Sequence, residues 1–200
     1  MSMKVKIKKV TDFQMGYQFR EKLGTSSTGD YRVIQAKDIS QAFDHRLDLS
    51  NLHRVMPKRD AEKYRVKNGD VIFLSKGRRN YATLISQLSP DLKTIVAGYF
   101  FVIRPKTQVV IPEYIAWIIN QPPAQSYLKS VSRGSGMPFI PKTAFANLEI
   151  PIPSIDVQKQ IVKLYELSFQ ESMLLKQLEE KRSKLISKIC IEAVKQKQKM

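Results

Sequence analysis

Cysteine and histidine are scarce in this 200-residue chain: it holds one cysteine, Cys190, and two histidines, His45 and His53. A single cysteine excludes an internal disulfide framework and suits a reducing compartment. The two histidines stand eight apart in a polar, loop-rich region with no cysteine beside them, so they lack the further ligands a tetrahedral metal site requires. No metal site and no cofactor are expected. No apolar run approaches the roughly 18 residues needed to span a bilayer. The opening MSMKVKIKKV alternates lysine with valine and isoleucine and lacks the apolar block of a signal peptide. A cytoplasmic protein with no membrane partner is the expectation.

Catalytic signatures are also missing. There is no G-x-S-x-G elbow and no phosphate-binding G-x-x-x-x-G-K-[ST]. Gly134-Ser135-Gly136 is a lone G-x-G preceded by Arg133 rather than placed between a strand and a helix, which reads as a flexible loop before a dinucleotide fingerprint. Asn120-Gln121-Pro122-Pro123-Ala124 approaches the Asn/Asp-Pro-Pro-aromatic motif of DNA amino-methyltransferases, but it has an insertion and no aromatic. It reads better as a helix stop. Glu179-Glu180-Lys181 has the Glu-x-Lys spacing of metal-dependent nucleases, yet it falls in the middle of a charged helical surface. A noncatalytic protein is the expectation.

Positive charge is abundant. The chain carries 34 Lys and Arg against 18 Asp and Glu, a net charge of +16. Residues 155–200 carry ten basic and six acidic side chains, so a surplus of 12 sits on the first 154 residues. A field of that sign favours polyanions, nucleic acid before membrane; charge that serves solubility alone is the plainer alternative.

The first half reads as mostly β. The 4–10 stretch (KVKIKKV) alternates like an edge strand. The 24–30 stretch (GTSSTGD) is a turn-rich loop, 31–36 (YRVIQA) a strand, and 41–65 polar and irregular with a basic cluster at Arg54, Lys58 and Arg59. Asn68-Gly69-Asp70 turns into the buried-type strand 71–74 (VIFL), followed by strands at 81–88 and 94–104. Helices follow at 113–120, opened by Pro112, and at 124–131. A glycine loop at 132–141 (SRGSGMPFIP) leads to a single turn at 143–147. Strands first and helices after indicate an α+β fold.

The last quarter organises the rest. Pro151 and Pro153 keep 150–154 extended and out of a sheet interior. Ser154 or Asp156 can cap the next element, with Gln158 and Gln160 helping to satisfy its first amides. From Val157 to about Lys195 nothing breaks a helix, which predicts a rod roughly 60 Å long. The residues before it would form a body only about 40 Å across. The expected division is therefore 1–153 as one domain and 154–200 as the helix with its basic tail. Ile161, Ser168, Leu175, Arg182 and Ile189 stand seven apart, as do Leu164, Glu171, Leu178 and Leu185, and Leu167, Leu174 and Ile186 widen the stripe. This is a coiled-coil seam with polar intrusions. Packing on its own domain is the alternative; the length favours a partner helix. Ile161, Leu164, Leu175, Leu178, Leu185 and Ile189 are the candidate dimerisation residues. Cys190 on that helix reads as a small hydrophobe rather than a reactive thiol.

Two clusters carry binding chemistry. Lys76, Arg78, Arg79, Asn80 and Tyr81 surround Gly77 just past a strand; arginine grips guanine edges or phosphates and asparagine reads adenine. Arg133 and Ser135 sit among glycines whose amides approach phosphate closely, and Lys142 follows. These eight are the candidate DNA-binding residues.

The ending IPIPSIDVQKQIV with its long helix resembles the segment that closes each target recognition domain in specificity subunits of type I restriction-modification systems. Ser154 stands where that family usually has proline and Val157 where it has glutamate, while Gln158 is kept. YRVIQAKDIS, NGDVIFLSKG, FFVIRPK, PEYIAWIIN and RGSGMPFI fall in the family's order. The resemblance implies a noncatalytic reader of double-stranded DNA serving methyltransferase (modification) subunits and a restriction subunit. The family's usual subunit has two recognition domains joined by two antiparallel helices; this chain has room for one of each. That implies a half-length form which pairs with itself through the helix and reads two inverted half-sites. A small DNA methyltransferase or nuclease, and a nonspecific nucleic-acid-binding protein, are the alternatives.

Overall fold

A computed structural model describes residues 4–19, 29–40 and 46–197. The 24–30 loop lies mainly outside the described residues, as do His45 and the start of the 41–65 stretch. The chain divides into two compact units, Met1–Lys159 and Gln160–Met200.

In the first unit β1 (Lys4–Lys6) leads into a single helical turn, α1 (Ile7–Val10), and then β2 (Thr11–Met15). The edge strand expected over 4–10 therefore stops after three residues. KVKIKKV satisfies two periods at once, and the helical one wins because it buries Ile7 and Val10 on one side. The Thr11 hydroxyl closes that turn by donating to the Ile7 carbonyl at 2.9 Å.

Next come β3 (Tyr31–Ile34), β4 (Ile39–Ser40), β5 (Arg46–Leu47), β6 (His53–Val55), β7 (Val71–Leu74) and β8 (Ala82–Leu84). The strand expected over 94–104 is two strands, β9 (Lys93–Val96) and β10 (Phe100–Pro105). A turn at 97–99, closed by the Phe100 amide on the Ala97 carbonyl at 3.0 Å, sends them into different sheets. The apolar run hides the break, and Gly98 is its one sequence signal. The strand expected over 81–88 likewise stops at Leu84, and Gln87 adopts a positive φ of 64°.

Four antiparallel strands in the order β2-β10-β7-β8 form the largest sheet. Its two faces bury different side chains. Ile72, Leu74, Phe100 and Val102 join a core with Val33, Ile34, Ile95 and Val96 from the three-stranded sheet β6-β3-β9. Phe73, Phe101 and Phe13 face the other way, where Phe145 packs against all three with centroids 4.6, 5.4 and 5.5 Å away. A sheet covered on both sides explains the unbroken apolar reading of VIFL.

Helices α2 (Pro112–Ile119), α3 (Pro122–Val131) and α4 (Lys142–Ala146) follow. Pro122-Pro123 stops α2 and also supplies the first turn of α3, where a missing amide donor does no harm. The proline bracket keeps β11 (Glu149–Pro151) to a two-stranded sheet with β1, in the register Val5↔Ile150.

Helix α5 (Ile155–Lys197) runs 43 residues without interruption, about 64 Å at the standard rise. Gln158 in its first turn, expected to serve the helix's own first amides, instead directs its side chain to backbone groups outside them. It is fully buried, accepts from the Ile111 amide at 3.0 Å, and donates to the carbonyls of Val109 at 3.1 Å and Pro153 at 2.8 Å. Past residue 160 the helix exposes its apolar stripe: Leu164, Leu175, Leu178, Leu185 and Ile189 are all exposed. Ile161 is half-buried. No helix among the described residues is long and apolar enough to cross a membrane.

Candidate nucleic-acid interface

The two clusters singled out by chemistry are 52 positions apart at their nearest, Tyr81 to Arg133, and their loops are adjacent in space. The first is the loop between β7 and β8, 75–80. Its base is closed by the Leu74 amide on the Tyr81 carbonyl at 2.9 Å, and Asn80 Nδ2 donates to the Leu74 carbonyl at 2.9 Å. Ser75 is anchored through its amide and hydroxyl to the Tyr99 carbonyl.

The second loop, 133–139, is pinched at its own base. The Arg133 amide donates to the Phe139 carbonyl at 3.0 Å and the Phe139 amide returns to the Arg133 carbonyl at 2.8 Å. Two bonds then stitch it to the first loop: the Gly77 amide on the Pro138 carbonyl at 2.8 Å, and the Ile140 amide on the Ser75 carbonyl at 2.7 Å. Gly77 and Gly134 have φ values of +119° and +91°, a region in which a side chain strains the backbone. Both glycines are where tight, stitched loops require them.

Between the loops and the exposed side of α3 lies an open groove of about 910 Å³. Arg78, Arg79, Asn80, Gln125, Ser126, Lys129 and Ser132 contribute its polar lining. Its floor is set by Asn120 at the end of α2, whose side chain pairs with both backbone groups of Ala82 at 2.8 and 2.9 Å. That contact is the structural use of the Asn120 that resembled a methyltransferase motif.

The eight candidate residues separate by environment. Lys76, Arg78, Arg79, Arg133 and Ser135 are exposed on the two stitched loops. Asn80 is half-buried with one amide hydrogen committed to its own loop, leaving its other groups toward the groove. Tyr81 borders the groove but is 4% exposed and belongs to the hydrophobic core, so its ring packs rather than presenting a face to solvent. Lys142 is exposed at the start of α4 with its ammonium 5.4 Å from the centre of the Phe13 ring, away from the groove lining.

Sequence reasoning missed Gln125, Ser126 and Lys129. They recur with Pro122 at helical spacing, on a different side of α3 from buried Ala124, so an amphipathic reading of that short helix contains the signal.

A buried carboxyl with a neighbouring arginine lies at the other end of β7. Asp70 is 1% exposed, accepts from the Lys67 amide at 3.1 Å, and sits 3.4 Å from Arg104 Nε without hydrogen-bond alignment. Burial pushes its carboxyl above the ordinary range, against the opposing pull of the Lys67 amide and Arg104. Arg104 also donates to the Arg65 carbonyl at 2.9 Å. The pair joins β10 to the turn before β7 and stands apart from the groove. Among the described residues no three His, Cys, Asp or Glu side chains gather as a metal site.

Residues 2–181 match the family described as the type I restriction modification DNA specificity domain. The chain belongs to that family. Among curated type I specificity subunits, it is 31% identical over 72 residues to the MjaVIII specificity subunit of Methanocaldococcus jannaschii, covering 36% of this chain and 16% of that one. It is 23% identical over 151 residues to the putative MjaX specificity subunit of the same organism, covering 74% and 33%. The fold matches the HsdS subunit from Thermoanaerobacter tengcongensis with a TM-score of 0.65 at 18% identity, over 88% of this chain and 44% of that one. It matches the S subunit from M. genitalium with a TM-score of 0.56 at 14% identity, over 82% and 38%. The chain thus spans less than half the length of each of these four relatives.

Proposed function

We propose that this chain is a noncatalytic, sequence-specific reader of double-stranded DNA that directs the methyltransferase and restriction subunits of a type I restriction-modification system. The observation that supports this reading best is the joining of two basic glycine loops, distant in sequence, along one groove. Arg78 and Arg79 supply forked donors for guanine edges or phosphates, Asn80 and Gln125 supply amides suited to adenine, and Lys129 supplies a cation for the backbone. Such mixed donors at a rigid surface suit reading more than unspecific adhesion.

In this reading residues 1–153 form the recognition domain and 154–200 the pairing helix. Two copies associate through the stripe of α5 containing Ile161, Leu164, Leu175, Leu178, Leu185 and Ile189. Two-fold pairing makes the two half-sites identical and inverted. The polar seam positions Ser168, Glu171 and Arg182 fix the register.

The test is methylation-sensitive sequencing of a host with and without the gene, in the presence of its modification subunits. A bipartite site with inverted halves, methylated when the gene is present, is the expected result. Light scattering of the full chain at micromolar concentration should give a dimer. A stable monomer there removes the basis for symmetric half-sites.

A further inference from the structure

Met137 is 73% exposed. It lies in the 133–139 loop just before half-buried Pro138, and Phe139 beside them is 40% exposed. Scattered surface methionines are ordinary; the setting of this one is not. The loop that carries it is pinched at its base by the reciprocal Arg133–Phe139 pair and tied sideways to Gly77. It is also tightly turned: a Cβ built on Gly134 would lie 3.2 Å from the Met137 carbonyl oxygen. An apolar side chain is therefore presented on backbone that is already ordered. Exposed cations stand close by in the chain: Arg133 on its own loop and Lys76 on the stitched loop both bridge to Phe139, two residues from Met137, and Arg78 follows on the stitched loop.

Cations around a protruding apolar tip match a duplex chemically. The cations hold the phosphates while the tip meets the stacked, uncharged interior between them. Methionine, phenylalanine and proline are among the side chains that pry base steps apart in this way. We infer that Met137 is an apolar wedge that enters a base-pair step of the bound duplex and unstacks it, with Pro138 and Phe139 supporting it from behind. The inference rests on the DNA-reading function proposed above and adds to it a specificity-determining residue that makes no hydrogen bond. A site read this way favours a step that unstacks easily, such as a pyrimidine–purine step.

The test begins by selecting, from a random double-stranded library, the duplex that the full chain enriches. 2-Aminopurine then replaces each adenine of that duplex in turn. Wild-type protein should raise the fluorescence at one position, where stacking is lost. Met137→Ala should abolish that rise and weaken binding about tenfold, roughly the effect of withdrawing one buried apolar side chain, while Met137→Leu restores both. Because the side chain is exposed, circular dichroism and thermal melting of the three proteins should coincide. If no duplex is enriched, the DNA-reading function falls, and the wedge with it. If a duplex is enriched but Met137→Ala binds it as wild type does, the wedge alone is overturned. If replacing thymine by deoxyuridine reproduces the loss and no fluorescence rises, Met137 touches a thymine methyl in an intact stack, and the unstacking role is wrong.

Discussion

In the strand-rich unit Phe73, Phe100, Phe101 and Phe145 are each at most 2% exposed, whereas along α5 Leu164, Leu175, Leu178 and Leu185 are 58–70% exposed. Both regions are rich in large apolar residues, so composition does not separate them. Geometry does. Each face of the β2-β10-β7-β8 sheet is covered by other elements of the same unit, so its apolar side chains leave water as the chain folds. A single helix can offer its stripe only to another surface. The strand-rich unit buries its apolar side chains by its own packing, whereas the helix leaves its stripe exposed. Most of the positive surplus lies on the first 154 residues, so charge and exposed apolar surface are concentrated in different parts of the chain, and the function proposed above assigns the first to DNA and the second to a partner helix.

The sharpest way to break this contrast is to put charge into the helix. Leu178→Asp combined with Leu185→Asp should weaken self-association by at least about a hundredfold, since each buried leucine contributes roughly 2 kcal/mol and each copy loses two. Light scattering and sedimentation would register the change. The melting of the strand-rich unit should stay where it was. Loss of that melting transition instead would mean that the stripe packs on its own domain.

The next effect concerns the buried root of α5. Gln158→Leu keeps the bulk and removes three hydrogen bonds, leaving the Ile111 amide and the Val109 and Pro153 carbonyls unpaired. A loss of about 3 kcal/mol is expected, read as a fall in Tm of about 8 °C. Gln160→Leu, on an exposed position two residues later, should change little. Equal effects would mean that glutamine serves there only as a helix former.

Charge reversal at Arg78 and Arg79 probes the other half of the contrast. The double variant should lose about a hundredfold in affinity for a preferred duplex, at 1–3 kcal/mol for each forked contact. Binding to random duplex should fall less, and circular dichroism of the variant, whose two altered side chains are exposed, separates lost contacts from any loss of fold. Equal losses on every sequence would favour the nonspecific nucleic-acid binder.

These regions differ in how much of them a sequence can reveal. The long helix was legible because no proline or glycine interrupts it and its apolar spacing repeats; both are local properties. The α+β class and the strand 71–74 were legible for the same reason. The split of 94–104 was not, since Gly98 is a weak mark within a strong β-forming run and the division depends on which sheets the halves join. The turn at 7–10 was missed because tertiary burial of Ile7 and Val10 chose between two valid periods. At the groove, residue chemistry singles out the two basic stretches, but only the fold reveals that their loops are stitched together by backbone hydrogen bonds. Tyr81 shows the converse limit: an aromatic next to a basic cluster invites a recognition role, while its burial in the core depends on the strand that begins beside it and is not visible in the sequence.

The smallest effect belongs to the buried carboxylate of the strand-rich unit. Asp70 is enclosed, and its carboxyl is raised by that burial despite Lys67 and Arg104. The unfolded chain titrates this group near the ordinary value of about 3.9. Between that value and the higher folded one, the native state holds more protons than the unfolded state, so stability contributed by this group falls as pH rises through the window and is level above it. Asp70→Asn removes the titration while leaving an oxygen to accept from the Lys67 amide. The stability of wild type minus that of the variant should therefore decrease as pH is raised from 4 through this window, measured by urea unfolding at closely spaced pH values. A difference that instead increases with pH would mean that Arg104 outweighs burial, and that the strand-rich unit holds this charge by attraction rather than tolerating it.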